Sequence, residues 1–425
     1  MTITSPALAA LAGDPAALAE HLKTAGGPLV EPAPDNPGSV LVTFVWLGEA
    51  ERVSIRAGQL FADHLAPSHA LERLPGTDIW HRSTVVRADV TSSYQYIVDE
   101  PAAGDLIADA FEALRRQVDC WRADPFNPRR IYPQTGIIAG RLDLPEHQWD
   151  SILELPETEP APWFTPAGAP AGTLVERRLT SAALGNERQV TVYRPPSGQG
   201  PFPLVVMLDG ECWTRVADLP TALDNRIADG SLAPVVVAFV HTPEVADRPG
   251  ARIGESTCNP ALTTMLAEEL PPLLAEFDVT TDPARTVLAG NSLTGLAAAF
   301  TALHRPEVYG NVLASSGSFW WGYADHPVAK MLGGKDGEPE WLTRQYAGSP
   351  RVPVRFWLDC GVLEAGNVPW IPGVDPRAAN RHFRTVLRAK GNQVDYFEAP
   401  GGHEFVSFRR NAIRALCTLL PGAGA

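Results

Sequence analysis

The sequence predicts two domains of different fold class, an all-β domain followed by an α/β domain with an open, mostly parallel sheet. From Gly38 onward, short runs rich in β-branched and aromatic residues are separated by turn formers, as in a small antiparallel sandwich. After Gly172, strand-like and helix-like segments alternate, which is typical of a parallel sheet covered by helices. Many prolines between them indicate a stiff connection. We therefore assign residues 1–140 to a β-sandwich domain with short leading helices, 141–172 to a proline-rich linker and 173–425 to the α/β domain.

Each element has its own sequence signal. Ser5-Pro6 and Asp14-Pro15 place a capping residue before a proline and an Ala/Leu pattern, which predicts two short helices. The predicted strands of the first domain are residues 41–46, 53–55, 80–86 and 93–98. Those of the second are 189–193, 204–208, 235–240, 287–289, 312–315, 354–358 and 393–398, with helices over 262–277 and 378–390. In such sheets the chemistry lies at the carboxyl ends of the strands.

Composition and charge disfavour several classes of function. The 425 residues are 45% hydrophobic and 20% charged, and the formal net charge of −14 argues against nucleic acid or an anionic membrane as partner. The 5 cysteines include no C-x-x-C pair, which favours a reducing compartment and offers no zinc site. The N-terminus lacks the features of a signal peptide and no run has the length of a membrane span, so we expect a cytoplasmic protein.

A serine turn between a strand pattern and a helix pattern is the main chemical signal. Gly290-Asn291-Ser292 follows an apolar run and precedes an Ala/Leu-rich helix, as in the G-x-S-x-G nucleophile elbow. Thr294 stands where the second glycine of that pattern is usual, and Gly295 follows it. The pattern predicts Ser292 as a nucleophile at the head of a helix, where developing negative charge is favoured.

Partners for this serine follow in the order of an α/β-hydrolase. His403, on a glycine-flanked loop after the last predicted strand, is the candidate general base. His241 ends an earlier strand and is a candidate lining residue. Glu364 lies where the acid of a triad normally stands, and Asp375 is an alternative in the same loop. Asp359 is interpreted as a brace for the turn, and a serine–histidine pair without an acid is a further alternative.

An acyl-transfer serine also needs hydrogen-bond donors for the oxyanion. One is expected to be the backbone N–H of Leu293, and the other the N–H of Gly210 or Glu211 in the loop after the strand 204–208.

Several ordered motifs carry a resemblance to a known family, the enterochelin (enterobactin) esterases. Those hydrolases are cytoplasmic and open the ester bonds of ferric catecholate siderophores. The motifs, besides the elbow, are Leu208–Gly210, Arg252–Asn259, Glu268–Leu273, Ser315–Trp321, Leu363–Gly366 and Gly401–His403, with Asp124–Pro128 in the N-terminal half. The resemblance spans nearly the whole chain and implies an esterase-D-like α/β-hydrolase domain preceded by an all-β immunoglobulin-like sandwich.

By that resemblance, Ser292 and His403 are nucleophile and base, and the sandwich closes over the substrate. Arg252, Glu255 and Asn259 are expected at the pocket mouth, and an arginine there also suits an anionic ferric tris-catecholate. The alternative for Arg252 is a structural salt bridge with Glu255. Trp320 either lines the site or packs in the core.

Two departures from the family pattern affect the assignment. Thr294 replaces a glycine, and the family's acidic residue before a proline matches Asp375-Pro376 only with an insertion after Gly366. The expected function is a serine esterase acting on a ferric or iron-free catecholate oligoester siderophore, a small-molecule partner that brings its own iron. No cofactor and no catalytic metal are expected. The alternatives are an esterase for feruloyl or other carbohydrate esters, a biosynthetic enzyme for a peptide or polyketide ester, and a non-catalytic siderophore-binding protein.

Overall fold

The computed structural model describes residues 5–61, 68–100, 116–138, 140–243, 250–322, 338–366 and 374–422. The chain divides into two compact units. The first contains Met1–Pro160 together with Pro400–Ser407, and the second contains Ala161–Ala399 together with Phe408–Ala425. No helix in the described ranges is both long and apolar enough to cross a membrane.

Two short helices open the first unit, as the sequence predicts. Helix α1 (Pro6–Leu11) is capped by Ser5, whose Oγ accepts a hydrogen bond from the Leu8 N–H at 3.1 Å. Helix α2 (Pro15–Ala25) is capped by Asp14 in the same way. Their buried leucines pack with residues of the strands that follow, so the two helices cover one part of the first unit's core.

Two antiparallel sheets form the rest of the first unit, with a short helix, α3 (Gln134–Ile138). Their strands are β1 (Leu29–Pro32), β2 (Ser39–Leu47), β3 (Val53–Arg56), β4 (His69–Ala70), β5 (Glu72–Arg73), β6 (Ile79–Arg87), β7 (Thr91–Val98), β8 (Trp121–Arg122), β9 (Arg130–Ile131) and β10 (Asp150–Glu154). One sheet has the order β1-β2-β6-β5, the other β4-β3-β7-β10-β9 with β8 beside β7. The ring centroids of Phe44 in β2 and Tyr94 in β7 lie 5.0 Å apart, so the sheets pack face to face as a sandwich.

Strand β10 lies inside the segment that the sequence analysis assigns to the linker. It pairs with β7 and β9 in the second sheet, and Ser151, Ile152 and Leu153 are buried. The expectation that residues 141–172 only connect two domains is therefore wrong for this strand, and the first unit extends to Pro160. Its five residues are too few to show a period, and the surrounding prolines mask the signal.

The segment Asp124–Pro128 lies between β8 and β9 in the chain, and its side chains make hydrogen bonds to residues of β7 and β10. Asp124 accepts hydrogen bonds from the Phe126 N–H at 2.8 Å and the Tyr94 hydroxyl at 2.7 Å. The Asn127 side-chain amide donates to the Ile152 carbonyl at 2.8 Å, and Asn127 is fully buried. Two polar residues at fixed spacing thus satisfy backbone groups that the sandwich would otherwise bury unpaired.

Replacing Asn127 with alanine should destabilise the first unit by roughly 1–3 kcal/mol, because the Ile152 carbonyl and the Arg129 N–H lose their partner. Denaturant unfolding followed by tryptophan fluorescence measures this loss. The control is Arg129→Ala, which removes an exposed ion pair with Glu154 and should cost less than about 1 kcal/mol. Equal effects of the two changes would contradict the role of Asn127 as a buried hydrogen-bond partner of the Ile152 carbonyl.

The second unit is an eight-stranded sheet with the order β11-β12-β14-β13-β15-β16-β17-β18. Its strands are β11 (Thr173–Ser181), β12 (Asn186–Arg194), β13 (Leu204–Leu208), β14 (Val236–Val240), β15 (Thr286–Asn291), β16 (Asn311–Ser315), β17 (Arg355–Gly361) and β18 (Val394–Ala399). Strands β11, β12 and β14 are antiparallel neighbours, and every pairing from β14 to β18 is parallel. The mostly parallel sheet is thus confirmed, while β11, whose residues alternate around an exposed face, is absent from the predicted set.

In chain order, each helix of the second unit follows one of its parallel strands. They are α4 (Gly210–Arg215), α5 (Leu219–Ala228), α6 (Ala251–Ser256), α7 (Pro260–Thr264), α8 (Leu270–Leu274), α9 (Leu293–His304), α10 (Trp341–Gly348), α11 (Pro376–Ala389) and α12 (Phe405–Leu419), which begins in the first unit's segment Pro400–Ser407. A π-helical turn over Met265–Glu269 joins α7 to α8. The helix predicted over 262–277 is therefore present with a change of pitch before two prolines, which lack N–H donors.

Candidate active site

Ser292 occupies a strained turn at the centre of the second unit's sheet. It follows β15 directly, has φ 56° and ψ −124°, and is the N-cap of α9. Positive φ is costly for a residue with a β-carbon, and such strain is typical of functional turns. Two backbone bonds hold it, from the Ser292 N–H to the Ser315 carbonyl at 3.0 Å and from the Ser318 N–H to the Ser292 carbonyl at 2.9 Å. The predicted strand, sharp turn and helix are present.

Glycine is required at position 290 of the elbow for a steric reason. A β-carbon at Gly290 would lie 2.4 Å from the backbone carbonyl carbon of Thr294, because strand and helix nearly touch. Thr294 itself is buried without disturbing the turn. Its Oγ1 accepts the Asn291 N–H at 3.0 Å and lies 2.8 Å from Oδ2 of Asp209. The departure from glycine therefore adds polar contacts inside the elbow.

The loop that carries the predicted oxyanion donors lies at the same edge of the sheet. Strand β13 is the parallel neighbour of β15, and α4 begins right after it at Gly210. A β-carbon at Gly210 would lie 2.6 Å from the carbonyl carbon of Phe239, so the close approach requires glycine. The N–H groups of Gly210, Glu211 and Leu293 stand in first helical turns, where a helix supplies no acceptor.

Asp209 is the centre of a buried charge cluster beside this loop. The Arg252 guanidinium binds it in a bidentate way, with Nε 2.6 Å from Oδ1 and Nη2 2.7 Å from Oδ2. The alternative in which Arg252 pairs with Glu255 is wrong, because Glu255 pairs with the buried Arg188 at 2.9 Å. Asn259, the third residue expected at the pocket mouth, caps α7 by accepting the Ala261 N–H at 2.9 Å.

A small cavity of about 20 Å³ lies behind the elbow, with room for one water molecule. Asp209, Arg252, Thr294 and His241 are among its lining residues. Burial, with a smaller contribution from Arg215, lowers the pKa of His241 to about 4. His241 is therefore neutral at neutral pH, and its Nε2 lies 3.0 Å from Oγ1 of Thr191.

Burial, with the neighbouring Asp209 carboxylate, raises the pKa of the Glu211 carboxyl to about 7. The Thr242 N–H donates to Glu211 Oε2 at 3.0 Å. The side chain of Glu211 therefore helps to fix the chain after β14. Its backbone N–H is, with that of Gly210, one of the two alternatives predicted for the second oxyanion donor.

Three serines, at the end of β16 and in the loop after it, contact the elbow and the buried carboxyl groups of Asp359 and Glu364. Ser318 Oγ lies 3.3 Å from Ser292 Oγ. Ser316, which has φ 46°, donates its hydroxyl to Oε1 of Glu364 at 2.5 Å, and the Gly361 N–H donates to the same oxygen at 2.8 Å. The sequence pattern predicts no role for Ser316 or Ser318, which contribute to the family resemblance only as part of the motif Ser315–Trp321. Their signal was the three serines around Gly317 after a buried strand.

The carboxyl groups proposed as acids have different surroundings. Glu364 is buried in the turn after β17. Asp359, at the end of β17, accepts the Ser315 hydroxyl and the Asn411 amide at 2.8 Å each, as a brace would, and burial raises the pKa of its carboxyl to about 7. Asp375 caps α11 by accepting the Ala378 N–H through Oδ1, and its Oδ2 accepts the N–H of Gly366, which precedes this helix.

Trp320, the remaining predicted site residue, is half-buried and packs against the core of the second unit, while Trp321 is fully buried. Neither has a polar contact with Ser292 in the hydrogen bonds of the described residues.

His403 lies in the segment Pro400–Ser407, which belongs to the first unit. It is exposed, and its backbone N–H donates to Oε1 of Gln59 at 2.9 Å. The next residue, Glu404, binds strand β7 through three bonds, accepting the Ser92 hydroxyl at 2.6 Å and the Ser93 N–H and hydroxyl at 2.7 Å each. These bonds fix the segment that carries the predicted base.

Glu404 should make the stability of the protein depend on pH. Burial raises the pKa of its carboxyl from the ordinary 4.5 to about 7, against the opposing effect of the serine bonds. Between these two values the unfolded chain releases the proton and the folded chain keeps it, so the contribution of this group falls as pH rises from about 4.5 to about 7. Glu404→Gln, which can still accept from Ser93 and donate to Ser92, should reduce the difference in Tm between about pH 5 and about pH 8, because it removes the titrating group.

Thermal unfolding across this pH range is the measurement, with the exposed Glu49→Gln as the matched control. An unchanged pH profile in Glu404→Gln, or an equal change in Glu49→Gln, would contradict the role given to Glu404.

The sheet order, the strained serine at the carboxyl end of β15 and the adjoining glycine loop define an α/β-hydrolase. Residues 181–419 match the family model described as putative esterase, and residues 41–164 match that described as enterochelin esterase, N-terminal. The chain belongs to the enterochelin esterase family and is an esterase.

Two relatives illustrate how far the similarity extends. The chain is 29% identical over 426 residues to the iron(III) enterobactin esterase of Dickeya dadantii (strain 3937), covering 93% of this chain and 91% of that protein. It is 28% identical to the iron(III) salmochelin esterase of Escherichia coli O6:H1, over 90% of this chain and 88% of that one.

Solved structures agree with this assignment. The ferric enterobactin esterase from Salmonella typhimurium has a TM-score of 0.74 and 25% identity, covering 94% of this chain and 98% of that one. The enterobactin esterase from Shigella flexneri, crystallised in the presence of enterobactin, has a TM-score of 0.72 and 25% identity, with 93% and 96% covered.

Proposed function

We propose that this esterase hydrolyses the ester bonds of a catecholate oligoester siderophore, iron-loaded or iron-free, through an acyl-enzyme on Ser292. The observation that carries the proposal is the strained elbow at Ser292, with glycine loop and serine run beside it, in a chain similar along nearly its whole length to iron(III) enterobactin and salmochelin esterases. In the ferric form the metal is part of the substrate.

The reaction follows from these groups. Ser292 Oγ attacks the ester carbonyl while the imidazole of His403 takes its proton, and the N–H groups of Leu293 and of Gly210 or Glu211 bind the oxyanion. The intermediate then expels the alkoxide, which receives the proton from the imidazolium. Water, activated by the same imidazole, hydrolyses the acyl-enzyme, so that each cycle consumes one water and yields one carboxylic acid and one alcohol.

We assign the role of the acid to Glu364. Its support is the burial of the side chain and the two donors that fix Oε1, the Ser316 hydroxyl and the Gly361 N–H. A carboxylate oriented in this way holds the histidine tautomer and stabilises the imidazolium. Asp375 caps α11 through Oδ1 and accepts the Gly366 N–H through Oδ2, which argues for a structural role there.

All 5 cysteines lie in the described ranges and none of them forms a disulfide there, which supports a reducing compartment and hence a cytoplasmic site of action. In that location the enzyme would release iron from a siderophore that has already been imported, because ester cleavage separates the catecholate groups that chelate the metal together.

The direct test is Ser292→Ala. It should lower kcat for ferric enterobactin and for an aryl ester by about 10⁴-fold or more, because the covalent path is lost. Product analysis by mass spectrometry measures siderophore cleavage, and the exposed Ser197→Ala is the matched control. Equal rates in wild type and Ser292→Ala would overturn the mechanism. Cleavage of aryl esters alone would overturn the substrate.

The choice of acid can be tested with isosteric amides. Glu364→Gln should lower kcat by about 10- to 10⁴-fold, because the amide holds the imidazolium less well. Asp375→Asn should change kcat by less than about twofold, since an asparagine also caps a helix. A larger loss at Asp375 would reverse the assignment, and a small effect of both changes would indicate a serine–histidine pair that works without an acid.

A further inference from the structure

Asp209 connects the two halves of the proposed catalytic machinery. It is buried, has φ 60°, and comes directly before Gly210, whose N–H is a proposed oxyanion donor. Its Oδ2 also lies 2.8 Å from the hydroxyl of Thr294, two residues after the proposed nucleophile. One side-chain hydrogen bond thus joins the loop after β13 to the turn after β15.

The contacts of Thr294 determine which acceptor receives its hydroxyl hydrogen bond. The Thr294 oxygen accepts the Asn291 N–H at 3.0 Å, which fixes the side chain over its own turn. The single hydroxyl proton then has two acceptors in reach, the Asn291 carbonyl at 2.7 Å and the Asp209 carboxylate at 2.8 Å. A hydrogen bond to a charged acceptor is roughly twice as strong as one between neutral groups, so the carboxylate is favoured.

Arg252 holds the other side of Asp209. Its Nε and Nη2 each bind one carboxylate oxygen, at 2.6 and 2.7 Å, which fixes the plane of the carboxylate as well as its position. With this plane fixed, Oδ2 is presented to Thr294. The guanidinium therefore acts on the elbow through Asp209, and two of its nitrogens are already engaged.

This connection has a consequence for the oxyanion site. Its two proposed donors follow different strands. The Leu293 N–H comes after β15, and the Gly210 or Glu211 N–H comes after β13. Their spacing must fit one oxygen atom, and a displacement of about 1 Å can cost on the order of 100-fold in rate. A glycine at position 294 has no group that could bind Asp209.

We propose that Thr294 is a positioning residue that sets the spacing of the two oxyanion donors through its hydroxyl bond to Asp209. This inference rests on the proposed function, because it takes Ser292 as nucleophile and these N–H groups as donors. The threonine that departs from the family pattern thereby contributes to transition-state binding without touching the substrate.

The test compares Thr294→Val, Thr294→Ala and Thr294→Ser with an aryl ester as substrate. The valine and alanine variants should lower kcat by roughly 10- to 100-fold with KM within about twofold, because the oxyanion is bound in the transition state and not in the ground state. The serine variant, which keeps the hydroxyl, should stay within about threefold of wild type.

Two further measurements separate positioning from a general loss of structure. The Ki of phenylboronic acid, whose tetrahedral adduct on the serine mimics the transition state, should rise in parallel with the fall in kcat/KM. The matched control is Thr301→Val in the same helix α9, where a buried hydroxyl bonded to Thr263 at 3.1 Å is removed far from the turn. This control should leave kcat unchanged.

The outcomes distinguish this inference from the proposed function. Labelling of wild type by a fluorophosphonate at Ser292 establishes the nucleophile, and absence of labelling would overturn the proposed function itself. If wild type is labelled but Thr294→Val and Thr294→Ala keep both kcat and boronate affinity, the positioning role is wrong. The same conclusion follows if Thr294→Ser is as impaired as the valine variant.

Discussion

The constraint on which the site depends is the backbone conformation of Ser292. A serine with φ 56° is retained only where the surroundings determine it, and here both flanking strands contribute. Strand β16 supplies the Ser315 carbonyl and the loop after it supplies the Ser318 N–H, and both bind the turn from one side. On the other side, β13 places Asp209 against Thr294. Parallel register therefore brings the ends of three adjacent strands to one place, where the proposed nucleophile and the proposed oxyanion loop lie.

Much of this arrangement could be predicted from the sequence. Apolar runs rich in β-branched residues predict the six strands with parallel pairings, β13 to β18, and the antiparallel strand β12. The Gly290–Ser292 pattern predicts the elbow. The strands β10 and β11 were missed for opposite reasons. The first is short and lies among prolines, and the second has an exposed face with many charged residues, so neither shows the apolar run of a buried strand.

The site was harder to predict than the fold, because side-chain partners depend on contacts distant in sequence. Sequence spacing suggested Glu255 as the partner of Arg252, since both lie on one short helix. The structure pairs each with a residue distant in sequence, Arg252 with Asp209 in the loop after β13 and Glu255 with Arg188 on β12. Sequence spacing predicts only ion pairs between residues that are near each other in the chain. An arginine in the interior instead pairs with a carboxylate of matching geometry, which can come from a distant part of the chain.

The segment Pro400–Ser407 makes the first unit discontinuous in the chain. Its Glu404 completes the hydrogen bonds of β7, which lies more than 300 residues earlier. During synthesis, domains usually fold as they emerge, N-terminal part first. Here the serines of β7 must wait for their carboxyl partner until nearly the whole polypeptide has left the ribosome. A ribosome that stops early thus releases a sandwich that lacks both the Glu404 carboxylate and the proposed base His403, so full-length translation becomes a condition for completing the first unit.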